Sequence, residues 1–349
     1  MTHTGTYLQS LSPLPQEQAK MPCVVLAHNE LLILPEFLRH YREIGVDRFL
    51  IVDDHSTDGS LEFLRDQPDV TVFAPVEGST FRKDKRFWRA ELLDTYCSDK
   101  WVVVPDADEH LVYKGIDEGL DLFALARNLE DEGAQALHAV MLDMYCDMPL
   151  KDHRFLGGSL IEQFPLFDGP DHYFRIAAPA RFRKKYPTPF AFALGGMRQR
   201  FFEPLKFGLF NSLILRNFCD VSGHFSPEGI ASFWLKISRL ILRRMLKSSE
   251  IYNCSKLPLI KWQNGMYFYS GAHAISKRLR LSKKNVVLLH FKFASGVGGL
   301  KYNAERGQHA DGSKFYKRIV SQEIALSRSP VFEGTQSYVN SSSLGRFLK

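Results

Sequence analysis

The first 150 residues alternate short apolar runs with helical patterns, and this rhythm constrains the fold of the 349-residue chain more than any other feature. The run Cys23–Ala27 is uninterrupted, which is typical of a strand buried on both faces. Apolar residues then recur at helical spacing over 30–44. Further strands are predicted at 48–52, 70–73, 101–104 and 136–142, and helices at 61–64, 81–96 and 119–132. This order predicts an α/β fold of βαβ units around a mostly parallel sheet.

Polar clusters follow three of the predicted strands at the point where each strand ends. They read HNE at 28–30, DDHSTDGS at 53–60 and PDADEH at 105–110. Because the carboxyl ends of parallel strands meet at one edge of a sheet, and ligands bind there, the clusters predict a single site.

The DADE cluster places two carboxylates, Asp106 and Asp108, two positions apart directly after an apolar strand. A loop there can turn both carboxylates toward one point, and paired hard oxygen ligands suit Mg²⁺ or Mn²⁺. The alternative is a solvated acidic turn with a helix cap, since isolated pairs of this kind are common. The position after WVVVP favours the metal site.

The other two clusters offer ligands for a nucleotide. A carboxylate of Asp53 or Asp54 can accept hydrogen bonds from a base or ribose, although turn formation alone also explains such residues. His28, Asn29 and Glu30 open a helix, whose N-terminus favours anions and polar ligands, and Asn29 also suits a simple cap.

A basic stretch, FRKDKRFWR at 81–89, lies on the third predicted helix. Arg82, Lys83 or Arg86 could meet a phosphate there, while most of these cations belong to a solvated face.

Charge is distributed unevenly along the chain. Residues 1–174 carry 15 Lys and Arg against 31 Asp and Glu, a net of −16, whereas residues 175–349 carry 30 against 8, a net of +22. The two halves either attract each other or perform different tasks, a metal-and-donor half and a half that faces anions or a membrane.

Several classes of protein are disfavoured. No apolar run approaches the ~18 residues of a spanning helix, and the N-terminus lacks the features of a signal peptide. The five cysteines are widely spaced and include no CxxC pair, so we expect a reduced, cytoplasmic protein. The sequence also lacks GxGxxG, Walker A and GxSxG motifs, which disfavours dinucleotide, P-loop and serine hydrolase sites.

The segment VVLAHNELLILPEFLRHYREIGVDRFLIVDDHSTDGS (24–60), with VVVPDADEHL (102–111), resembles the family 2-like glycosyltransferases of the GT-A fold. The similarity is good over 22–113 and looser to about 295, where DMYCDMPL, GGMRQRFF, LPLIKW, YSGAHAIS and LLHFKF also look like that branch. The resemblance implies a Rossmann-like sheet with an acceptor-side extension. It also implies a metal-dependent transferase that uses a nucleotide-diphosphate sugar, with a UDP-sugar favoured.

The resemblance also implies roles for single residues. Asp106 and Asp108 match the metal-binding pair, and Asp106 also lies beside the donor. The third metal ligand is implied to be a histidine, for which His290 is preferred and His273 is the alternative. Asp53 or Asp54 matches the acid that contacts the base, while His28 and Asn29 match the loop that lines the nucleotide; Glu30 and Arg82 complete this predicted donor site.

The catalytic base is left open by the sequence. Inverting enzymes of the family usually carry an ED motif, and this chain has none. Candidate bases are Asp143, Glu203, Asp220 and Glu109, of which Asp143 and Glu203 are the leading pair. A base must reach the acceptor hydroxyl, so inversion is an expectation from the resemblance alone.

Two basic segments belong to the second half. Residues 175–206 mix cations with aromatic rings, which favours a phosphate-bearing substrate or an anionic lipid; no nucleic-acid-binding motif accompanies them. A basic amphipathic helix is predicted at about 227–247. It can lie on an anionic membrane, for example the inner face of the cell membrane, or pack on its own domain.

We therefore predict a flexible lead-in (1–20), a donor-binding core (21–150), an acceptor-side half (151–326) and a flexible tail (327–349). The leading functional hypothesis is a glycosyltransferase that acts on a glycan or lipid-linked acceptor in surface polysaccharide or glycoconjugate synthesis. The alternatives are a sugar nucleotidyltransferase and a non-catalytic anion- or membrane-binding protein.

Overall fold

The predicted alternation of strands and helices is present in the structure, a computed structural model. It describes residues 5–14, 18–205, 209–210, 213, 233–237, 251–269 and 271–348. The predicted helix at 227–247 and the candidate base Asp220 lie outside these residues, except for 233–237. None of the helices in the described ranges combines the length and the apolar character needed to cross a bilayer.

The strands are β1 (Leu8–Ser10), β2 (Pro22–Ala27), β3 (Arg48–Asp53), β4 (Val70–Pro75), β5 (Trp101–Val103), β6 (Glu109–Val112), β7 (Ala136–Asp143), β8 (Leu166–Asp168), β9 (Tyr173–Ala177), β10 (Ala191–Gly195), β11 (Ser255–Lys256), β12 (Leu259–Lys261), β13 (Phe268–Tyr269), β14 (Ala274–Ile275), β15 (Leu281–His290) and β16 (Thr335–Ser337). The helices are α1 (Leu34–Glu43), α2 (Ser60–Arg65), α3 (Phe81–Tyr96), α4 (Leu122–Asp131), α5 (Leu160–Gln163), α6 (Ala180–Lys185), α7 (Gly196–Phe202), α8 (Gly296–Arg306), α9 (Ala310–Val320) and α10 (Glu323–Leu326). Short 3-10 helices lie at Leu150–Asp152, Pro170–His172 and Ser341–Leu348.

The central sheet is mostly parallel, as predicted. Its order is β1-β4-β3-β2-β5-β12-β7-β15-β6, and β11 pairs with β7 as its tenth strand. Strands β2, β3, β4 and β5 run parallel, and β7 and β15 continue in the same direction on the far side of the antiparallel β12. The sequence did not predict this inserted strand of three residues.

Helices cover both faces of the sheet, which explains the continuous apolar runs. On β2, Cys23 and Val25 pack into one core with Phe37 of α1 and Leu125 of α4, while Val24 faces the other core, beside α3. Successive side chains of a strand point to opposite faces, so both faces need apolar residues. The fold is therefore a mixed α/β architecture with helices on each side of the sheet.

Described residues near both chain ends include buried side chains. Leu8 is fully buried, and β1 pairs with β4 through Leu8 and Pro75. In the tail, Leu344 and Phe347 are buried in the main core, and the Phe347 ring lies 5.2 Å from that of Tyr173. The Ser-rich composition of the tail hid this apolar pair, whose spacing of three residues suits one face of a helix.

Candidate functional site

Strand register brings the predicted site residues together at the carboxyl edge of the sheet. The last pair between β15 and β7 joins His290 to Asp143, and the last pair between β15 and β6 joins His290 to Glu109. Asp106 and Asp108 lie on the loop between β5 and β6. His290, more than 140 residues away in sequence, is therefore adjacent to the acidic loop.

A cavity of about 630 Å³ lies at this edge. Glu30, Asp106, Asp108 and Glu109 are its acidic wall. Among the described residues, six cationic side chains also line it, and they are Lys85, Arg89, Arg198, Lys256, Lys292 and Arg306. Carboxylates beside a surplus of cations can receive a divalent metal together with an anionic ligand.

Asp108 and His290 face each other across the cavity floor. The Oδ2 atom of Asp108 lies 3.4 Å from Nε2 of His290 and 3.8 Å from Nζ of Lys292. Burial alone would raise the pKa of Asp108, but His290 and Lys292 outweigh it and hold that pKa well below its usual range. Asp108 is therefore ionised at neutral pH.

His290 is oriented from behind by Asp143. The imidazole Nδ1 lies 2.8 Å from Oδ1 of Asp143, whose Oδ2 accepts a hydrogen bond of 2.7 Å from Nε of Arg198. The carboxylate can only accept, so Nδ1 carries the proton and Nε2 points at Asp108. Burial opposes a charge on His290, but the carboxylates of Asp108 and Asp143 raise its pKa overall. Metal binding at Nε2 would release a proton.

Asp106 belongs to a different set of contacts. Its carboxylate pairs with Lys256 through Oδ2 and with Nη2 of Arg89 through Oδ1 at 3.2 Å. Lys256 also lies 2.6 Å from Oε1 of Glu109, whose other carboxylate oxygen accepts a hydrogen bond of 2.9 Å from the Asp106 backbone N–H. Burial disfavours the charge on Lys256, but the two carboxylates raise its pKa. The ammonium thus ties both ends of the DADE loop together.

Asp108, Glu109 and His290 form a group that could hold a metal ion. Among the described residues, one ligand atom from each of these three lies within 4.8 Å of the others, and Asp106 is not part of the group. Two ligands at ~2.1 Å from one ion, at right angles, are ~3 Å apart, close to the 3.4 Å between Asp108 and His290. Carboxylate oxygens suit Mg²⁺ or Mn²⁺, while an imidazole ligand suits transition metals.

The alternative ligand, His273, is placed beside Asp106 rather than in this group. Its Nδ1 lies 2.7 Å from the Ser255 carbonyl oxygen, which can only accept a hydrogen bond. Burial and then the charge of Lys256 lower the pKa of His273 to about 3, so the ring is neutral. It lines the cavity next to Gly271, where it can contact a ligand.

Helix α3 presents different cations to the cavity than the sequence predicted. Phe81, Lys85 and Arg89, spaced four apart, line the cavity, whereas Arg82 is exposed and does not. The backbone N–H of Arg82 donates a hydrogen bond of 3.4 Å to Oε1 of Gln308. Trp88 and Leu92 are buried, so they fix which face of α3 points inward. The apolar positions of this face were the sequence signal that could have indicated Lys85 and Arg89, rather than Arg82, as the cations that line the cavity.

The loop after β2 is held by the loop after β3 and by α8. Asn29 adopts a left-handed conformation, with φ of 53°, and its Oδ1 accepts a hydrogen bond of 2.7 Å from the Thr57 backbone N–H. The hydroxyl of Tyr302 lies 2.7 Å from Nε2 of His28 and 3.1 Å from Nδ2 of Asn29. His28 and Asn29 line the cavity, and so does Tyr302.

Asp53 and Asp54 lie behind that loop and are not among the residues that line the cavity. Asp53 is buried; its Oδ2 accepts a hydrogen bond of 3.0 Å from the Ser56 backbone N–H, and its Oδ1 has no partner. Asp54 pairs with Arg306 of α8. Burial raises the pKa of Asp54 against the opposing effect of Arg306.

Glu30 lies at the acidic wall of the cavity. Burial and then the charge of Asp108 raise the pKa of the Glu30 carboxyl to about 8, so it is largely protonated at pH 7. Its backbone N–H donates a hydrogen bond of 3.1 Å to Ser60 Oγ, which anchors the loop. A protonated Glu30 can donate a hydrogen bond to a ligand oxygen.

The two leading candidates for the base occupy other roles. Asp143 is 1% exposed and is engaged by His290 and Arg198, so it positions the histidine. Glu203 follows α7, pairs with Arg318 and does not line the cavity. Because a base must reach an acceptor hydroxyl, neither placement suits that task.

Several cavity residues were not predicted from the sequence. Among them, Lys256, Lys292, Tyr302 and Arg306 come from the second half of the chain, far in sequence from the clusters they contact. Lys292 had a weak signal, since it stands two residues after His290 in the LLHFKF segment. The others became visible only through the fold.

No family model matches the chain, and no curated protein matches it. Parts of solved structures are similar. A mannosyltransferase from Pyrobaculum calidifontis in complex with GDP-Man and Mn²⁺ is 20% identical, with a TM-score of 0.26 over 40% of this chain and 39% of that one. A putative glucose-1-phosphate thymidylyltransferase from Bacillus anthracis is 10% identical, with a TM-score of 0.26 over 39% of this chain and 62% of that one. A UDP-glucose pyrophosphorylase from Acinetobacter baumanii is 12% identical, with a TM-score of 0.25 over 44% and 67%. Each match covers less than half of this chain.

Proposed function

We propose that the protein is a metal-dependent glycosyltransferase that moves a sugar from a nucleotide-diphosphate donor to a glycan or lipid-linked acceptor. The observation that carries the proposal is the meeting of Asp108, Glu109 and His290 within 4.8 Å, at the carboxyl edge of the sheet. Lys85, Arg89 and Lys292 line the same cavity. Such a site suits a metal-bound diphosphate.

Each group has a task in this proposal. Asp108, Glu109 and His290 would hold the metal, and Asp143 keeps His290 Nε2 turned toward it. A bound Mn²⁺ or Mg²⁺ supplies positive charge for the nucleoside diphosphate that leaves. Lys85 and Lys292 add fixed positive charge around the phosphates.

Phe182, Phe192 and Tyr269 also line the cavity, and we expect the acceptor to bind beside them. The rings of Phe182 and Tyr269 are 5.4 Å apart and meet edge to face, which gives a partly exposed aromatic wall. Exposed cations of α6 stand beside it, as at Lys184 and Lys185. An acceptor that combines sugar rings with phosphate groups would match both features, and a location at the inner face of the membrane stays a prediction.

The experiment is an assay of product release from a panel of UDP-, GDP- and dTDP-sugars with Mn²⁺. The wild-type protein should release the nucleoside diphosphate from at least one donor, and removal of the metal with EDTA should stop the release. We expect Asp108→Asn, which keeps the shape but loses the charge, to lower the rate by at least about 100-fold. Asp131→Asn, at an exposed end of α4, is the matched control and should behave as wild type.

The same assay tests the alternatives. A sugar nucleotidyltransferase would instead release pyrophosphate from a nucleoside triphosphate and a sugar 1-phosphate. A non-catalytic anion-binding protein would release neither product. A nucleoside diphosphate yield that does not change between the wild-type protein and Asp108→Asn would refute the proposed metal site.

A further inference from the structure

Helix α8 lines the cavity with one face. Gly299, Tyr302, Asn303 and Arg306 all line the cavity, and their spacing of three and four residues is that of a single helical stripe. The stripe carries a ring, an amide and a guanidinium, so its chemistry is polar and aromatic rather than that of a buried packing face.

Tyr302 joins this stripe to the loop after β2 through a fixed pattern of hydrogen bonds. His28 Nδ1 lies 2.6 Å from the Asp54 carbonyl oxygen, which can only accept, so Nδ1 carries the proton. Nε2 of the neutral ring then accepts from the Tyr302 hydroxyl at 2.7 Å. The same hydroxyl accepts from Asn29 Nδ2 at 3.1 Å.

These contacts place the two rings side by side. The rings of His28 and Tyr302 are within 10° of parallel, with centroids 5.8 Å apart. The 2.7 Å hydrogen bond between them is shorter than the ~3.5 Å that separates stacked rings, so the ring planes are not face to face. The pair instead forms a nearly flat shelf, the His28–Tyr302 shelf, and Tyr302 keeps 42% of its surface exposed.

The shelf lies within reach of the charges proposed to hold the diphosphate. His309 hydrogen-bonds Asn303 of the stripe at 3.2 Å. Lys85, Lys292 and Arg306 line the same cavity as His28 and Tyr302. One ligand in this cavity can therefore contact both the shelf and these cations.

We propose that the His28–Tyr302 shelf binds the planar base of a nucleotide, with Tyr302 as the stacking residue that α8 contributes. This inference rests on the proposed function, because it assumes that the cavity holds a nucleoside diphosphate. It places the base against α8 and the loop after β2, and the phosphates near Asp108, Glu109 and His290. Stacking accepts any planar base, so selection between bases must come from polar groups around the shelf.

The test is calorimetric titration of the full-length protein, in the presence of Mn²⁺, with UDP, GDP and inorganic pyrophosphate. Tyr302→Ala should weaken UDP or GDP binding by roughly 5- to 150-fold, the range for a lost base–aromatic stack. It should leave pyrophosphate binding unchanged, because pyrophosphate has no base. Tyr302→Phe keeps the ring and should bind nucleotides nearly as the wild-type protein does.

The control is Phe123→Ala, which removes an aromatic ring of similar exposure on α4. Equal nucleotide affinity in Tyr302→Ala and wild type would overturn the inference and leave the proposed function standing. If Tyr302→Ala lost pyrophosphate binding together with nucleotide binding, Tyr302 would support the fold rather than bind the base, and the inference would fail. If the wild-type protein binds pyrophosphate but no nucleotide, the shelf and the proposed donor both fail.

Discussion

Lys256 is the residue on which the acidic loop depends most. Its side chain is 1% exposed, as is that of its partner Glu109, and it also pairs with Asp106. A buried charge that loses its partner costs far more than an exposed one, because the remaining charge has no water to solvate it. The pair therefore couples the shape of the metal loop to global stability.

Replacing Lys256 tests that coupling. We expect Lys256→Met to lower the free energy of unfolding by about 3–5 kcal/mol, since it leaves Glu109 buried without its cation. Lys261→Met removes an exposed pair with Glu130, at 38% and 44% exposure, and should cost less than about 1 kcal/mol. Urea denaturation of both variants measures the difference, and equal losses would argue against a buried network at the loop.

Lys85 gives the site a pH dependence. Burial, followed by the charge of Arg89, lowers the pKa of the Lys85 ammonium to about 8, so the side chain is charged below that pH and neutral above it. Affinity for Mg²⁺-pyrophosphate should therefore fall up to about tenfold more between pH 7 and 9 in the wild type than in Lys85→Arg, which stays charged. Parallel pH profiles of the two proteins, measured by calorimetry, would count against a phosphate role for Lys85.

The sequence predicted the position of a site residue best where that residue lies at the end of a predicted strand. Asp108 and His290 each follow an apolar run, so a parallel sheet brings them to one edge. Lys256 and Tyr302 lie on a two-residue strand and a polar helix, where no local pattern indicates which side faces the cavity. Their roles depend on contacts more than 140 residues away in sequence.

At the scale of elements, the five strands and four helices predicted within residues 23–142 are all present, whereas β1 and β6 were not predicted. Helix α3 has the predicted bounds, Phe81–Tyr96, because buried Trp88 and Leu92 share one face. The inserted strand β12 was not predicted. It spans only Leu259–Lys261, and its antiparallel pairing with both neighbours is a tertiary feature.

The C-terminal 3-10 helix is an element whose packing can be measured directly. Phe347 has no exposed surface, and its ring contacts those of Phe167 and Tyr173. Phe347→Ala should destabilise the protein by about 3–5 kcal/mol through lost burial and a new cavity. Val339→Ala, in an exposed side chain of the same tail, should change stability by less than about 0.5 kcal/mol. A thermal shift that is equal for both would mean that the tail does not pack as described.

At the scale of the whole molecule, opposite charges on the two halves of the chain form ion pairs within the fold. Acids of the first half pair with cations of the second, as in Asp143–Arg198, Asp168–Arg200, Asp54–Arg306 and Asp106–Lys256. The cavity is built in the same way, with its acidic wall from the first half and most of its cations from the second. These pairs support the interpretation that the two halves attract each other, and an anion- or membrane-facing task for the second half stays a prediction.

The most direct test of the whole account is calorimetric titration of the wild-type protein with UDP and GDP, each with and without Mn²⁺. We expect at least one nucleoside diphosphate to bind tightly in the presence of Mn²⁺ and at least tenfold more weakly without it, because an ion held by Asp108, Glu109 and His290 would supply positive charge for the phosphates. Binding that is absent, or that is unchanged when the metal is removed, would contradict a metal-dependent nucleotide-sugar site.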